Sequence, residues 1–367
     1  CVDSTSAAGD GAYFGGRLAV RVSGNSVYLA FTCLRGQKLF FVSSIDGGSA
    51  WGAPVLVQHT PAFEYMHVVV RFIGNRPVVA AVRQPLETAW PRSVLYMRAE
   101  DGNGDQWPST WTLVDQSSEQ YIGASLALRG FSSRWTGPVI VAHDDTDANG
   151  VLKVYTTTDP VGSANSWSAM ALPGTARGRY VSLRGVGDRW WCSYQTGRAL
   201  AVRRTSRMTT SNTSLEWEPE HVIVNASEAS SGHWQQMLRL GAVTPGIVYS
   251  TEDATDRKAY WTRQSSSSTN NAIDAWTAPL YIMGSNCSRV SSAVVTNRPA
   301  ALCEERIDGD WHFLYTIAPA ASGWTTPLST APTDAPVTPS SRARVPAPPS
   351  PPPWPAPPHP TSHSRTT

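Results

Sequence analysis

Residues 18–31 read LAVRVSGNSVYLAF: an apolar run, a tight polar turn, and a second apolar run. The same order returns five times. It appears as VVVRFIGNRPVVAA (68–81), LALRGFSSRWTGPVIVAH (126–143), VSLRGVGDRWWCSY (181–194), QMLRLGAVTPGIVYS (236–250) and SSAVVTNRPAALC (291–303). Runs such as KLFFVSS, SVLYMRA, VLKVYTT and HFLYTIA follow and predict a third strand in each unit. Each unit then closes on Trp and a short fourth run: WGAPVLV, WTLVD, WSAMALP, WEPEHVIV, WTAPLYI and WTTPLST. No long stretch places apolar residues at i, i+3, i+4 and i+7, so helices are not expected.

Six units of about 48 to 60 residues, each of four strands, predict a six-bladed β-propeller of antiparallel blades over residues 1–330. One four-stranded sheet cannot bury both faces alone, whereas stacking between neighbours buries both and a closed ring leaves no free ends. A parallel β-helix has shorter coils and lacks four alternating strands with hairpin turns. Residues 331–367 form a second region. Within it, VPAPPSPPPWPAPPHP (345–360) cannot pack a core and predicts an extended, disordered tail.

Composition narrows the function. The formal net charge is +2, and Arg342, Arg344 and Arg365 against Asp334 account for it. The propeller region is therefore near neutral and offers no basic stripe for nucleic acid. No apolar run is long enough to span a bilayer. The five cysteines, Cys1, Cys33, Cys192, Cys287 and Cys303, contain no CxxC pair, which argues against zinc. They read either as buried thiols or as one or two disulfides of an exported protein, with Cys1 stapled to a cysteine of the last repeat. A chain starting at Cys1 reads as a processed product. Sequons at Asn212, Asn225 and Asn286 agree with export. A secreted or extracellular monomer is the expectation, at a cell wall or surface.

The turn between the third and fourth strands of the first unit reads SSIDGGSAW, residues 43–51. Ser44, Asp46, Gly48 and Trp51 match Ser-x-Asp-x-Gly-x-x-Trp at every specified position. This stretch resembles the Asp-box of sialidase-type propellers. Degenerate versions stand in AEDGNGDQW (99–107) and TTDPVGSANSW (157–167). The resemblance implies a structural role: the carboxylate holds the turn, the glycines supply positive φ, and Trp51 packs between blades. The whole array also resembles Asp-box-type repeat proteins known mainly from predicted secreted chains. The Pro-rich tail is similar to hydroxyproline-rich wall glycoproteins of plants and green algae.

Candidate chemistry lies at the other end of the blades. Counting four residues back from the repeated strand arginine, or from Ala293 that replaces it in the sixth unit, gives Arg17, His67, Ser125, Tyr180, Gln235 and Arg289, one per unit. Positions four apart in a strand share a side, so these six are expected to ring the mouth of a central channel. The alternative is a set of exposed strand starts. His233 and Trp234 join the same mouth. The repeated arginines themselves, Arg21, Arg71, Arg129, Arg184 and Arg239, read as structural, bonded to carbonyls or to a neighbouring acid. Asp145, Asp147 and Asn149 have the start of a calcium loop, but Thr156 stands where its last Glu belongs. Such stretches are also plain turn formers.

An active sialidase would need an arginine triad, a Tyr nucleophile activated by Glu, and an Asp acid/base. Arg17 stands where the family's first Arg belongs. The loop 34–38, LRGQK, has no acid, and Ser288 and Arg289 stand where the Tyr is expected. The reading is therefore a ligand-binding propeller for a glycan or a matrix protein, without catalysis and without a required cofactor. The alternative is a glycoside hydrolase on the same face, with carboxylates drawn from Glu252, Asp253, Glu304 and Glu305.

Overall fold

The computed structural model describes residues 18–324 except 24–25, 34–36, 48, 74, 88–91, 117–121, 130–137, 145–150, 160, 173–177, 207–215, 226–229, 242, 253–256, 266–272, 274, 285–286, 296 and 308–309. The tail from 331 and the calcium-loop candidates Asp145, Asp147 and Asn149 lie outside the described residues.

All regular structure among the described residues is β-strand. Sheet one joins β1 (Leu18–Ser23), β2 (Ser26–Cys33), β3 (Lys38–Ser44) and β4 (Val55–His59). Sheet two joins β5 (Phe63–Ile73), β6 (Arg76–Pro85), β7 (Ser93–Arg98) and β8 (Thr112–Gln116). Sheet three holds β9 (Ile122–Arg129), β10 (Val139–Asp144), β11 (Val151–Thr156) and β12 (Ser168–Ala171). Sheet four holds β13 (Arg179–Val186), β14 (Arg189–Thr196), β15 (Ala199–Arg204) and β16 (His221–Val224). Sheet five holds β17 (Ser230–Leu240), β18 (Thr244–Glu252), β19 (Ala259–Arg263) and β20 (Leu280–Met283). Sheet six shows β21 (Cys287–Val295), β22 (Arg298–Ile307) and β23 (Asp310–Ile317). Its expected fourth strand, after Trp324, lies outside the described residues.

Within each sheet every neighbour is antiparallel and follows in chain order. First strands lie side by side between consecutive sheets, β1 against β5, β5 against β9, and so on to β21. Between them lie apolar cores. Leu39, Phe41 and Val57 of sheet one meet Tyr65, Val79 and Leu95 of sheet two. Val141 and Val154 of sheet three meet Trp190 and Tyr194 of sheet four. Trp261 of sheet five meets Ala301 and Cys303 of sheet six. Alternate residues of a strand face opposite neighbours, which is why β6 and β14 are almost continuously apolar and buried.

The turns between third and fourth strands are built on carboxylates. Asp46 Oδ1 accepts from the Ser44 hydroxyl at 2.7 Å and from the Ala50 amide at 2.9 Å. Asp101 accepts from the amides of Asn103, at 3.0 Å, and of Gly104 and Asp105. Asp159 accepts from the amides of Val161 and Ser163, both at 2.8 Å. In two of these turns a glycine and a tryptophan clamp the preceding sheet. Gly104 has φ +80° and lies so close to the Phe41 ring that a Cβ would stand 2.3 Å from it. Trp107 donates to the Gly104 carbonyl at 2.8 Å and meets Phe41 edge-on at 5.4 Å. Gly162, Trp167 and Tyr96 repeat the arrangement one sheet on. Trp51 departs from the expected packing: it is 43% exposed, and no aromatic pair engages it among the described residues.

Sheet four lacks the Asp turn and uses ions instead. Glu218 accepts from Arg189 and, at 2.6 Å, from Arg204 Nε, which ties the 205–220 loop to β14 and β15. The cysteine expectation also changes. Cys287 and Cys303 bond to each other across β21 and β22, so neither is left for Cys1, and Cys192 is a buried thiol.

Two outcomes follow. Hydrogen bonds hold the Asp46 carboxyl (Ala50 amide first, then Ser44) and the Asp159 carboxyl (Ser163 hydroxyl first) below the usual carboxylate range. A lowered folded value stabilises above the unfolded value of about 3.9 and is lost as pH falls through the folded one. The stability gap between wild type and Asp159→Asn should therefore be full at pH of about 5 and close toward pH of about 2. A gap that stays constant in acid denaturation would refute this. Opening the Cys287–Cys303 link with Cys303→Ser should cost about 3 kcal/mol in urea unfolding, the value for a loop of this length.

Candidate functional site

In every sheet the first strand enters, and the second strand leaves, at the same end. The turns built on Asp46, Asp101 and Asp159 occupy the opposite end. At the entry end, five first strands carry one or two extra residues. The register slips between Met66 and Val69, between Ile122 and Leu126, between Arg179 and Ser182, between His233 and Gln236, and between Cys287 and Arg289. These slips fall on the positions four before the repeated arginine. A bulge bends a strand and re-aims its side chains, and bulges gather beside binding sites.

His67 has φ +49° and Tyr180 has φ +51°. Among the described residues the other non-glycine positions with positive φ are Asn165 and Asn297, and asparagine tolerates that region. Histidine is found there as well, but tyrosine seldom is, and holding Tyr180 there costs about 1–2 kcal/mol. Both side chains are partly buried. The backbone at Tyr180 is braced by the next sheet. Gln235 Nε2 donates to the Tyr180 carbonyl, and Gln235 Oε1 accepts from the Ser193 hydroxyl. The Ser182 hydroxyl accepts from the Met237 amide at 3.0 Å, and Arg184 Nε donates to the Met237 carbonyl at 2.9 Å. Gln236 Oε1 in turn accepts from the Ser292 amide at 2.7 Å.

The structure thus brings Tyr180 and Gln235 together, but not as two ligand contacts. Gln235 is 4% exposed and bridges sheets four and five, where the even spacing had aimed it at a channel. Gln235 lies in the bulge between His233 and Gln236 and faces sheet four, as Met237 does. Ser125, His233, Trp234 and Arg289 lie in strands at the same end, with side chains outside the described set, and Arg17 lies outside it altogether. Arg184 acts as the structural reading of the repeated arginines expected. Among the acids named for hydrolysis, Glu305 is 3% exposed in the sixth sheet, while the side chains of Glu252 and Glu304, and all of Asp253, lie outside the described set.

One constellation at this end escapes sequence spacing. The Arg83 guanidinium lies 4.4 Å from the centre of the Phe63 ring, near the ends of β6 and β5. Its cross-strand partner Tyr65 is buried, and the Tyr65 hydroxyl is shared with Thr60 at 2.6 Å and Trp111 at 3.4 Å. Burial lowers the Arg83 pKa, against an opposing contribution from Tyr65. Beside it, Gln84 donates to the Glu64 carboxylate. The only sequence sign is an arginine closing the apolar run VVAAV (78–82).

No protein-family model matches the chain, and no curated protein matches it. Solved structures do resemble it. A protein of unknown function from Dyadobacter fermentans superposes with a TM-score of 0.55 at 10% identity, over 82% of this chain and 93% of that one. The E242A mutant of the α-L-arabinofuranosidase Arb93A from Fusarium graminearum, in complex with an iminosugar inhibitor, gives 0.54 at 12% identity, over 82% and 92%. The endosialidase of phage phi92 gives 0.53 at 8% identity, over 80% and 62%. At such identities the likeness carries the fold alone, and that fold is the β-propeller. No helix among the described residues is long and apolar enough to cross a membrane.

The bridge at Gln235 gives a direct test. Gln235→Leu leaves the Ser193 hydroxyl and the Tyr180 carbonyl without their partner. The expected loss is about 2–3 kcal/mol in urea unfolding, as for a buried polar group stripped of its bond. An unchanged midpoint would show that the bridge carries no load.

Proposed function

We propose that this chain is a carbohydrate-binding β-propeller of six blades, whose ligand docks at the bulged ends of the first strands and is held without being cleaved. The repeated bulge, with His67 and Tyr180 held at positive φ, carries this reading. Strain concentrated at one end, and braced from the neighbouring sheet, is the signature of a site shaped for a ligand rather than for stability. The similarity to an arabinofuranosidase bound to an iminosugar and to an endosialidase favours a saccharide as the ligand class. Arg17, His233, Trp234 and Arg289 complete the mouth in this reading, with rings for sugar faces and forks for polar groups.

Binding without cleavage rests on what the candidate machinery lacks. The loop 34–38 carries no acid. A Tyr–Glu hydrogen bond does exist, from the Tyr194 hydroxyl to Glu220 at 2.7 Å. Tyr194 is fully buried, however, and burial first, then Glu220, raises its pKa, so it is no accessible nucleophile. The disulfide Cys287–Cys303 and the exposed sequon residue Asn225 favour an extracellular setting.

Six blades closing as a ring belong to the same reading. Sheet six leaves Leu302 and Tyr315, cross-strand partners, 38% and 58% exposed. Tyr315 holds the register position of Phe41, Tyr96 and Trp261, each of which is covered by the tryptophan of the following unit. Trp51 is the tryptophan left over. Closure sets Trp51 on Tyr315, and a double-mutant cycle with Trp51→Ala and Tyr315→Ala should give a coupling of about 0.5–1.5 kcal/mol. Additive losses would argue against a closed ring.

The functional test is a glycan array read beside a glycosidase substrate panel. The expected result is binding without release of sugar, with His67→Ala and Tyr180→Ala each weakening binding by about tenfold, the loss of one stacking or hydrogen-bonding contact. Sugar release would favour the hydrolase alternative, and full affinity in both variants would move the ligand elsewhere.

A further inference from the structure

We infer that Arg83, seated on Phe63, is an anion subsite at the binding mouth, and that it receives the carboxylate or sulfate of an acidic saccharide. The inference rests on the carbohydrate-binding reading and narrows the ligand class.

Position comes first. Arg83 pairs with Tyr65 on β5, while His67 lies in the bulge just beyond, opposite Val82 to Ala80. Arg83 and His67 therefore stand at the same end of sheet two, two residues apart along the strand pair. Alternation puts Arg83 on the face of sheet two that turns toward sheet one, above Ala81 and Val79 of the shared core.

Chemistry comes second. Arg83 Nε is buried without a hydrogen-bond partner, and no acidic side chain among the described residues pairs with this guanidinium. The nearest carboxylate along the chain, Glu64, sits on the opposite face of β5 and already accepts from Gln84. Tyr65 favours the charged guanidinium electrostatically but makes no hydrogen bond to it, since its hydroxyl is engaged by Thr60 and Trp111. What supports the charge is the Phe63 ring, which fixes the plane of the fork and leaves its edge free. Arg204 and Arg189 share Glu218, and Arg203 bonds the Tyr194 hydroxyl, whereas Arg83 rests on the Phe63 ring. A partly desolvated cation without a counter-charge is costly to hold. A planar oxyanion that meets the fork in two parallel hydrogen bonds removes that cost, and an aromatic face behind the guanidinium suits arginine rather than lysine.

The test uses the full chain and three short probes, trigalacturonate, which carries carboxylates only, a κ-carrageenan tetrasaccharide, which carries sulfates only, and neutral galactotriose, titrated by calorimetry at low and high salt. At least one acidic probe should bind about tenfold or more tighter than galactotriose, with a preference that shrinks in salt; which acid wins separates carboxylate from sulfate. Arg83→Gln should abolish that preference while changing galactotriose binding by less than about twofold, and Arg83→Lys should restore only part of it. If Arg83→Gln melts early, the wild-type Arg83 Nε–H resonance decides: it should shift on adding the preferred acid and not on adding galactotriose. Neutral and acidic probes bound alike, or acidic binding unchanged in Arg83→Gln, or a silent Nε–H signal, would overturn the subsite and leave carbohydrate binding standing. Failure of all three probes to bind would overturn both.

Discussion

A sheet with apolar side chains on both faces is dry only when a neighbour covers each face, and nearly every feature of this chain answers that demand. In sheet two, Val79, Ala81 and Leu95 turn one way, while Val78, Ala80 and Tyr96 turn the other, and all six are buried. Stacking therefore has to be repeated sheet after sheet. The clamps at the turn end serve the same purpose. Gly104 lets a backbone lie against Phe41 where any side chain would collide, and Trp107 seals the contact. Stability is concentrated at that end and between sheets.

The entry end is organised differently. There the first strands bulge, two bulky residues occupy a left-handed backbone conformation, and an arginine rests on an aromatic ring with no counter-ion among the described residues. None of these features adds stability locally. At sheets four to six, side-chain bonds between neighbouring sheets, through Ser182, Arg184, Gln235 and Gln236, hold the strands in place. Rigid bracing beneath a strained surface suits a preorganised binding site, in which little ordering remains to be done when the ligand arrives. The placement of strain and bracing is the physical ground for assigning function to this end.

Much of the fold was legible in the sequence. Six copies of strand, turn and strand, each closed by Trp, needed only β-branched runs and turn residues to be seen, and the observed strands fall on those runs. The entry-end positions could be found because the copies align on their arginines. Their side-chain directions could not. An extra residue between His233 and Gln236 re-aims the start of the strand without changing composition, and Gln235 lies in the sheet interface. The disulfide was hidden for a related reason: Cys287 and Cys303 are neighbours only through the strand register. Arg83 and Phe63 meet across two strands, and no spacing rule joins them.

The central claim is that a saccharide binds at the bulged end and not at the turn end. A crystal structure of the chain grown with the best-binding oligosaccharide tests it most directly. The account predicts sugar density within hydrogen-bonding distance of His67 or Tyr180. Density at the turns of Asp46, Asp101 and Asp159, with the bulged end empty, would contradict it.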